Sequence, residues 1–248
     1  MSRRASAVHV DCAGVVFGFP GAERRWRAAL RRRFAGFLTG EPAAFTITRG
    51  ACLAPGERRP SAPFGALVDP ANGTADLPAG LTVREAGGLV RELLPALLDG
   101  LVAHAAVLLD GDRGFLCCGR SGAGKSTLAR LAGSRGSDEL GAARRVGGAW
   151  AVSTLPFWKG RAATARLDGV FLLRHAGADE RRRLSPAEAA RAVGRHLLWP
   201  MEEPEAVQRA LDLLADLVAR VPVWDLGFLP GAAVLELIAA PGEGAAGR

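Results

Sequence analysis

Gly114-Phe115-Leu116-Cys117-Cys118-Gly119-Arg120-Ser121-Gly122-Ala123-Gly124-Lys125-Ser126-Thr127 is the stretch on which the fold turns. An apolar run ends at a glycine, and residues 119–126 fit G-x-x-x-x-G-K-[ST] at every specified position. Glycines let the backbone turn tightly enough for successive N–H groups to converge on phosphate oxygens. The lysine reaches the outer phosphates, and the next hydroxyl is offered to magnesium. A helix starting there adds the positive end of its dipole. The stretch therefore predicts a strand, a phosphate loop and a helix. It is expected to bind ATP with Mg²⁺ through Gly119, Arg120, Ser121, Gly122, Ala123, Gly124, Lys125, Ser126 and Thr127.

Working outward, the apolar runs 105–109 and 114–118 are joined by Asp110-Gly111-Asp112-Arg113, which predicts a hairpin leading into the loop. After the loop, Ser126, Leu128, Leu131 and Ala132 begin a helical stripe, and 146–152 and 167–173 read as strands. Ser185-Pro186-Ala187-Glu188 has the spacing of a capping box with proline at the first helical position. Val207, Leu211, Leu214 and Val218 mark a helix opening near Pro204, and 221–226 and 232–238 read as closing strands.

Upstream, 8–19 and 45–53 carry strand-favouring residues. Between them Trp26, Leu30, Phe34 and Phe37 recur at helical spacing opposite Arg24, Arg27, Arg31 and Arg32, an amphipathic helix whose arginines read as a solvated face. Loops rich in Pro, Gly and Asp follow at 54–63 and 69–80, and leucines at 89, 93, 97 and 101 predict a helix over 85–103 with Pro95 as a kink. The expected fold class is α/β, a mixed central sheet with helices on its faces. Residues 1–80 form a small N-terminal α/β extension, 81–240 the phosphate-loop domain and 241–248 a loose tail.

Composition narrows the partners. The 248 residues carry a formal charge of +7, yet only Lys125 and Lys159 are lysines and tyrosine is absent, a skew that reads as codon bias making arginine the default surface cation. No basic-aromatic interleaving or recognition module accompanies the charge, so nucleic acid is not expected as a partner. No apolar run reaches membrane-spanning length and the start resembles no signal peptide, so no membrane partner and a cytoplasmic location are expected. The cysteines Cys12, Cys52, Cys117 and Cys118 lack metal-ligand spacing and read as buried free thiols.

A phosphate loop alone leaves the fate of the terminal phosphate open. The apolar run 170–173 ends in Arg174 and His175 rather than an acid, with Asp168 before it. The candidate acids are Asp138 and Glu139, a dozen residues past Lys125, where one carboxylate can hold magnesium and the other take a proton from an attacking hydroxyl. On spacing alone they are equally well a solvated loop. Lys159, in Pro156-Phe157-Trp158-Lys159-Gly160, is either a solvated side chain or a cation near the γ-phosphate or acceptor. His104, at the edge of an apolar run, reads by itself as a hydrogen-bonded core histidine, and His9, His175 and His196 show no partner spacing.

His104, the hairpin, the loop and Ser137-Asp138-Glu139 together resemble the C-terminal catalytic domain of HPr kinase/phosphorylase and its smaller relatives, whose core is also similar to ATP-dependent phosphoenolpyruvate carboxykinase. The segments at 156–160, Leu184-Ser185-Pro186-Ala187-Glu188-Ala189 and Val221-Pro222-Val223-Trp224-Asp225-Leu226 resemble parts of the small relatives, many of them encoded beside peptide-modifying enzymes. The resemblance covers 101–238. It implies that Asp138 is the general base, that Ser126 with Asp138 or Glu139 holds magnesium, and that His104 lies near the phosphates. The family's glycine- and arginine-rich segment for its protein substrate is absent here, which sets aside HPr itself as acceptor. Full-length relatives form rings, so the resemblance allows an oligomer, without a heptad signal in this chain. The expected activity is a kinase acting on a serine-like hydroxyl of a peptide or small metabolite. The alternative is a nucleotide-binding partner or maturation factor of a peptide-modifying complex, with little turnover.

Overall fold

The computed structural model describes residues 7–50, 63–157, 160–200, 204–231 and 233–240, the side chains of Pro63 and Ser134 apart. It is mixed α/β, and among the described residues it holds six α-helices and two sheets of mixed strand orientation. The chain divides into two compact units, Met1–Leu98 and Asp99–Arg248.

In the N-terminal unit, β1 (Val8–Cys12) and β2 (Val15–Phe19) form an antiparallel hairpin. The single strand expected over 8–19 is broken at Ala13 and Gly14, both at positive φ, where the Gly14 N–H donates to Asp11 Oδ1 at 2.6 Å. α1 (Arg24–Arg33), β3 (Phe45–Arg49), β4 (Leu67–Asp69), β5 (Thr74–Leu77) and α2 (Val83–Leu97) follow. The sheet order is β1-β2-β3-β5-β4, with β2, β3 and β5 parallel. α1 buries Trp26 and Leu30, as its spacing predicts, beside the buried Phe19 and Phe34.

The helix expected over 85–103 begins earlier and stops at Leu97. Thr82 and Glu85 cap it reciprocally, the Thr82 N–H donating to Glu85 Oε2 at 2.7 Å. Leu98 is extended, and β6 (Gly100–Ala103) takes the remaining residues into a different sheet. A side chain at Gly100 would meet the Ala143 carbonyl at 2.5 Å, so only glycine lets β6 lie this close to its neighbour. Because α2 packs on α1 and β2, it belongs to the N-terminal unit, and the division falls after Leu98 rather than at residue 80.

The C-terminal unit continues with β7 (Ala105–Asp110), β8 (Arg113–Cys118), α3 (Lys125–Leu131), β9 (Gly136–Ser137), β10 (Gly141–Val146), β11 (Ala149–Thr154) and β12 (Thr164–His175). β13 (Glu180–Arg183), α4 (Pro186–Gly194), α5 (Pro204–Arg220), β14 (Val223–Phe228) and α6 (Ala233–Ala239) complete it. The sheet runs β6-β10-β11-β12-β8-β7-β9. β12 is long enough to change partner along one edge: Arg166 pairs with Ala151 of β11, whereas residues from Val170 onward pair with β14. Its other edge pairs with β8, and β8, β12 and β14 run parallel.

The unbroken apolar character of β8 follows from cover on both faces. Leu116 and Cys118 join a core with Val193, Leu214 and Leu217 of α4 and α5, while Phe115 and Cys117 join another with Leu128, Val234 and Ile238 of α3 and α6. Burial pushes the Cys118 thiol up to about 12 and raises the Cys117 thiol as well. Cys12, Cys117 and Cys118 are free and buried; Cys52 lies outside the described residues.

One expectation at the C-terminal end is corrected. The strand read over 232–238 is helix α6, whose Val234 and Ile238 are buried four residues apart, a spacing that a short apolar run does not distinguish from strand by composition. β13, with sequence Glu-Arg-Arg-Arg, carries no apolar signal; it pairs with β14, and its Arg181 donates to the Leu237 carbonyl at 2.8 Å. No described helix is long and apolar enough to cross a membrane. The expected tail at 241–248 lies outside the described residues.

Candidate functional site

The expected strand and helix flank the glycine-rich loop: β8 ends at Cys118 and α3 begins at Lys125. Between them the chain reverses through Gly122 at φ 81° and Gly124 at φ 100°. Gly124 is doubly constrained, since a Cβ there would also sit 2.4 Å from the Phe228 ring of β14. The Ala123 N–H donates to the Arg120 carbonyl at 3.1 Å, closing a turn inside the loop.

Lys125 is 7% exposed, and its Nζ donates to the Gly119 carbonyl at 2.7 Å and the Arg120 carbonyl at 3.1 Å. The ammonium thus lies inside the curl of its own loop, with two of its three hydrogens engaged. A second tie comes from His175, the last residue of β12, whose Nε2 lies 2.7 Å from the Gly122 carbonyl. A carbonyl only accepts, so the ring carries its proton on Nε2.

Opposite this loop, β9 leads into Asp138 and Glu139. The Leu140 N–H donates to the Asp138 carbonyl at 3.1 Å across Glu139, which stands at φ 78°, a tight three-residue turn in a region non-glycine residues rarely enter. Such strain collects where a side chain must be aimed. Asp138 is 5% exposed; its Oδ2 accepts a short hydrogen bond from Ser126 Oγ, while Oδ1 is buried with no hydrogen-bond partner among the described residues. With its proton given to the carboxylate, the Ser126 oxygen keeps its lone pairs for another ligand.

His104 sits between β6 and β7. Its N–H donates to the His196 carbonyl at 2.7 Å, and Leu198 donates to Val102 at 2.8 Å, so the segment after α4 lies along β6. Burial foremost, then the charges of Lys125, His104 and Arg195, holds His196 below the usual histidine range.

These groups meet in a cleft of about 280 Å³, contributed by His104, by Ser121, Gly122 and residues 124–127, and by Asp138 and Glu139. The expected site residues Gly119, Arg120 and Ala123 do not line it; through their backbone they hold Lys125 and the turn. Lys159 and Trp158 lie outside the described residues. His175 and His196 were not legible as site residues, because each is tied to the site through a main-chain carbonyl or through charge rather than through side-chain spacing. Asp168 is structural: burial would raise its pKa, but hydrogen bonds from Arg166 and Arg113, both at 2.6 Å, outweigh that and hold it low.

Among the described residues no three His, Cys, Asp or Glu side chains gather as a metal-binding group. A hard cation bound partly by phosphate and water needs fewer protein ligands, and the Ser126 hydroxyl beside the orphaned buried Asp138 carboxylate fits such a cation. Compared with known proteins, the chain matches no family model and no curated protein.

Proposed function

We propose that the C-terminal unit is an ATP-dependent kinase with an HPr kinase/phosphoenolpyruvate carboxykinase-like core, residues 119–127 serving as its phosphate loop. The acceptor is a serine-like hydroxyl on a peptide or small metabolite. The observation that carries this is Asp138: a carboxylate kept 5% exposed, one oxygen on Ser126 and the other without a partner among the described residues, in the same cleft as Lys125. Burying such a group without a task costs several kcal/mol, roughly.

ATP phosphates would take the place of the Gly119 and Arg120 carbonyls as partners of Lys125, and the α3 N-terminus would add its dipole. Ser126 Oγ and Asp138 Oδ2 would hold Mg²⁺, with Glu139 as the second nearby acid. The bound ion supplies charge neutralisation on the phosphate oxygens. The Asp138 carboxylate would take the proton of the acceptor hydroxyl as the acceptor O–P bond forms and the bond to the β-phosphate oxygen breaks, releasing ADP. His104 and Glu139 line the space where acceptor and γ-phosphate would meet.

The test is a γ-labelled ATP assay with magnesium, offering pools of peptides and hydroxylated metabolites. Asp138→Asn is expected to lower transfer by about 10²- to 10⁴-fold while keeping nucleotide binding. Nucleotide binding without label on any acceptor would sink the kinase and favour a nucleotide-dependent partner of a peptide-modifying complex.

A further inference from the structure

We propose that the exposed face of α1 is a docking surface for an acidic peptide segment of about five residues in extended form. α1 has the sequence Arg-Arg-Trp-Arg-Ala-Ala-Leu-Arg-Arg-Arg, with six arginines and no acid. At 100° per residue, Arg24, Arg25, Arg27, Arg31 and Arg32 fall within an arc of about 160° centred on Ala28, opposite the buried Trp26 and Leu30. All but the half-buried Arg27 are exposed, and none of the five side chains has a hydrogen bond, ion pair or ring contact among the described residues. Arg33 differs, its guanidinium lying 5.4 Å from the Phe34 ring centre.

Arg31 and Arg32 suit the last turn of the helix, but the remainder of the arrangement works against it. Arg24 with Arg27, and Arg27 with Arg31, are like charges at spacings of three and four, and Arg24 and Arg25 stand at the positive end of the dipole. Glu23 precedes them but makes no capping bond. In the C-terminal unit Arg113, Arg135, Arg166, Arg174, Arg182 and Arg220 each lie within 3.4 Å of a carboxylate, whereas none of the five arginines on this face does.

Charge complementarity selects an anionic partner, and the chemistry of the face narrows it. Its aromatic residues are turned inward, so it offers no stacking platform for bases. It carries no large apolar residue to enter a lipid surface. Guanidinium forks match carboxylates two bonds at a time. Ten helical residues span about 15 Å, the length of four to five extended residues. This inference rests on α1 alone and holds whether or not the cleft transfers phosphate.

The experiment uses the full chain and a fluorescein-labelled pentaglutamate peptide, with a pentaglutamine peptide, duplex DNA and anionic phosphatidylserine vesicles as comparisons. Expected are binding of the glutamate peptide that weakens with salt, a loss of at least about tenfold in Arg24→Gln/Arg27→Gln/Arg31→Gln, and unchanged binding in Lys125→Ala. The reversal Arg24→Glu/Arg27→Glu/Arg31→Glu should instead bind pentalysine, and retained far-ultraviolet dichroism shows that both variants fold. Equal binding of the glutamate and glutamine peptides, glutamate binding undiminished in the glutamine variant, or tighter binding of DNA or vesicles through the same arginines would overturn the proposal.

Discussion

The two units of this chain are built from the same composition, yet they place charge in opposite ways. Among the described residues, the buried polar and charged side chains Lys125, Ser137, Asp138, Ser153 and Thr154 all belong to the C-terminal unit. The N-terminal unit buries only isolated polar atoms, Trp26 Nε1 and Thr48 Oγ1 among them, and among the described residues leaves a set of arginine side chains unpaired on α1. Neither choice is the one that stability alone would make. Burial of a lysine and an aspartate needs the loop carbonyls and the Ser126 hydroxyl as compensation, and the α1 arginines repel one another in water. The difference separates a unit that buries a lysine and an aspartate beside its glycine-rich loop from one whose charged side chains lie at the surface.

Four substitutions and conditions probe that contrast. Lys125→Ala removes the buried cation and is expected to weaken ATP binding by about 10- to 100-fold by calorimetry, the size of a charge-assisted contact to phosphate. A variant that bound ATP as the native chain does would leave Lys125 as a loop-packing residue only.

His175→Leu cuts the tie to the Gly122 carbonyl and should weaken ATP binding by about fivefold, one net hydrogen bond. His175→Gln, which keeps an N–H donor, should recover most of it. Equal loss in both variants would mean that His175 fills space and does not hold the loop.

The third test is pH. Because the folded state depresses the His196 pKa, the unfolded chain takes up the proton first as pH falls. The stability linked to His196 is therefore present above about pH 6.5 and is lost as pH drops through the lower folded value. Thermal melting from pH 7.5 to 5 should show this decline, with a shallower slope in His196→Gln.

The smallest effect belongs to the N-terminal unit. Arg24→Glu places an acid at the helix start and an opposite charge three residues before Arg27, and should stabilise by about 0.5 kcal/mol in urea titration. No gain would show that the α1 arginines are already compensated, which removes the contrast on that side.

What could be read in advance followed the range of the interactions. The β7–β8 hairpin, the loop and the start of α3 are fixed by neighbours a few residues apart, and the capping box at Ser185 and Glu188 is complete within four residues, the Ser185 N–H donating to Glu188 Oε2 at 2.9 Å. β13 was not legible because its charged residues form a strand only through β14, more than a helix-length away in sequence. α6 was misread because Val-Leu-Glu-Leu-Ile satisfies either period and only packing under β14 decides. In the cleft, the nearness of Ser126 and Asp138 is what the family resemblance implies, since spacing alone leaves Asp138 equally well in a solvated loop. The His175 contact was not legible, since Gly122 contributes only backbone.

The change of partner along β12 also bears on how the molecule assembles. β7 and β8 close locally, whereas Leu116 must find Val170 and Val170 must find Val223 before β14 can bring Phe228 against Gly124. Parallel pairings across such separations form slowly. The glycine loop thus precedes in the chain the His175 and Phe228 that support it, and its support waits on those long-range pairings. A ligand of the finished cleft would bind only the native chain and draw the folding equilibrium toward it by mass action.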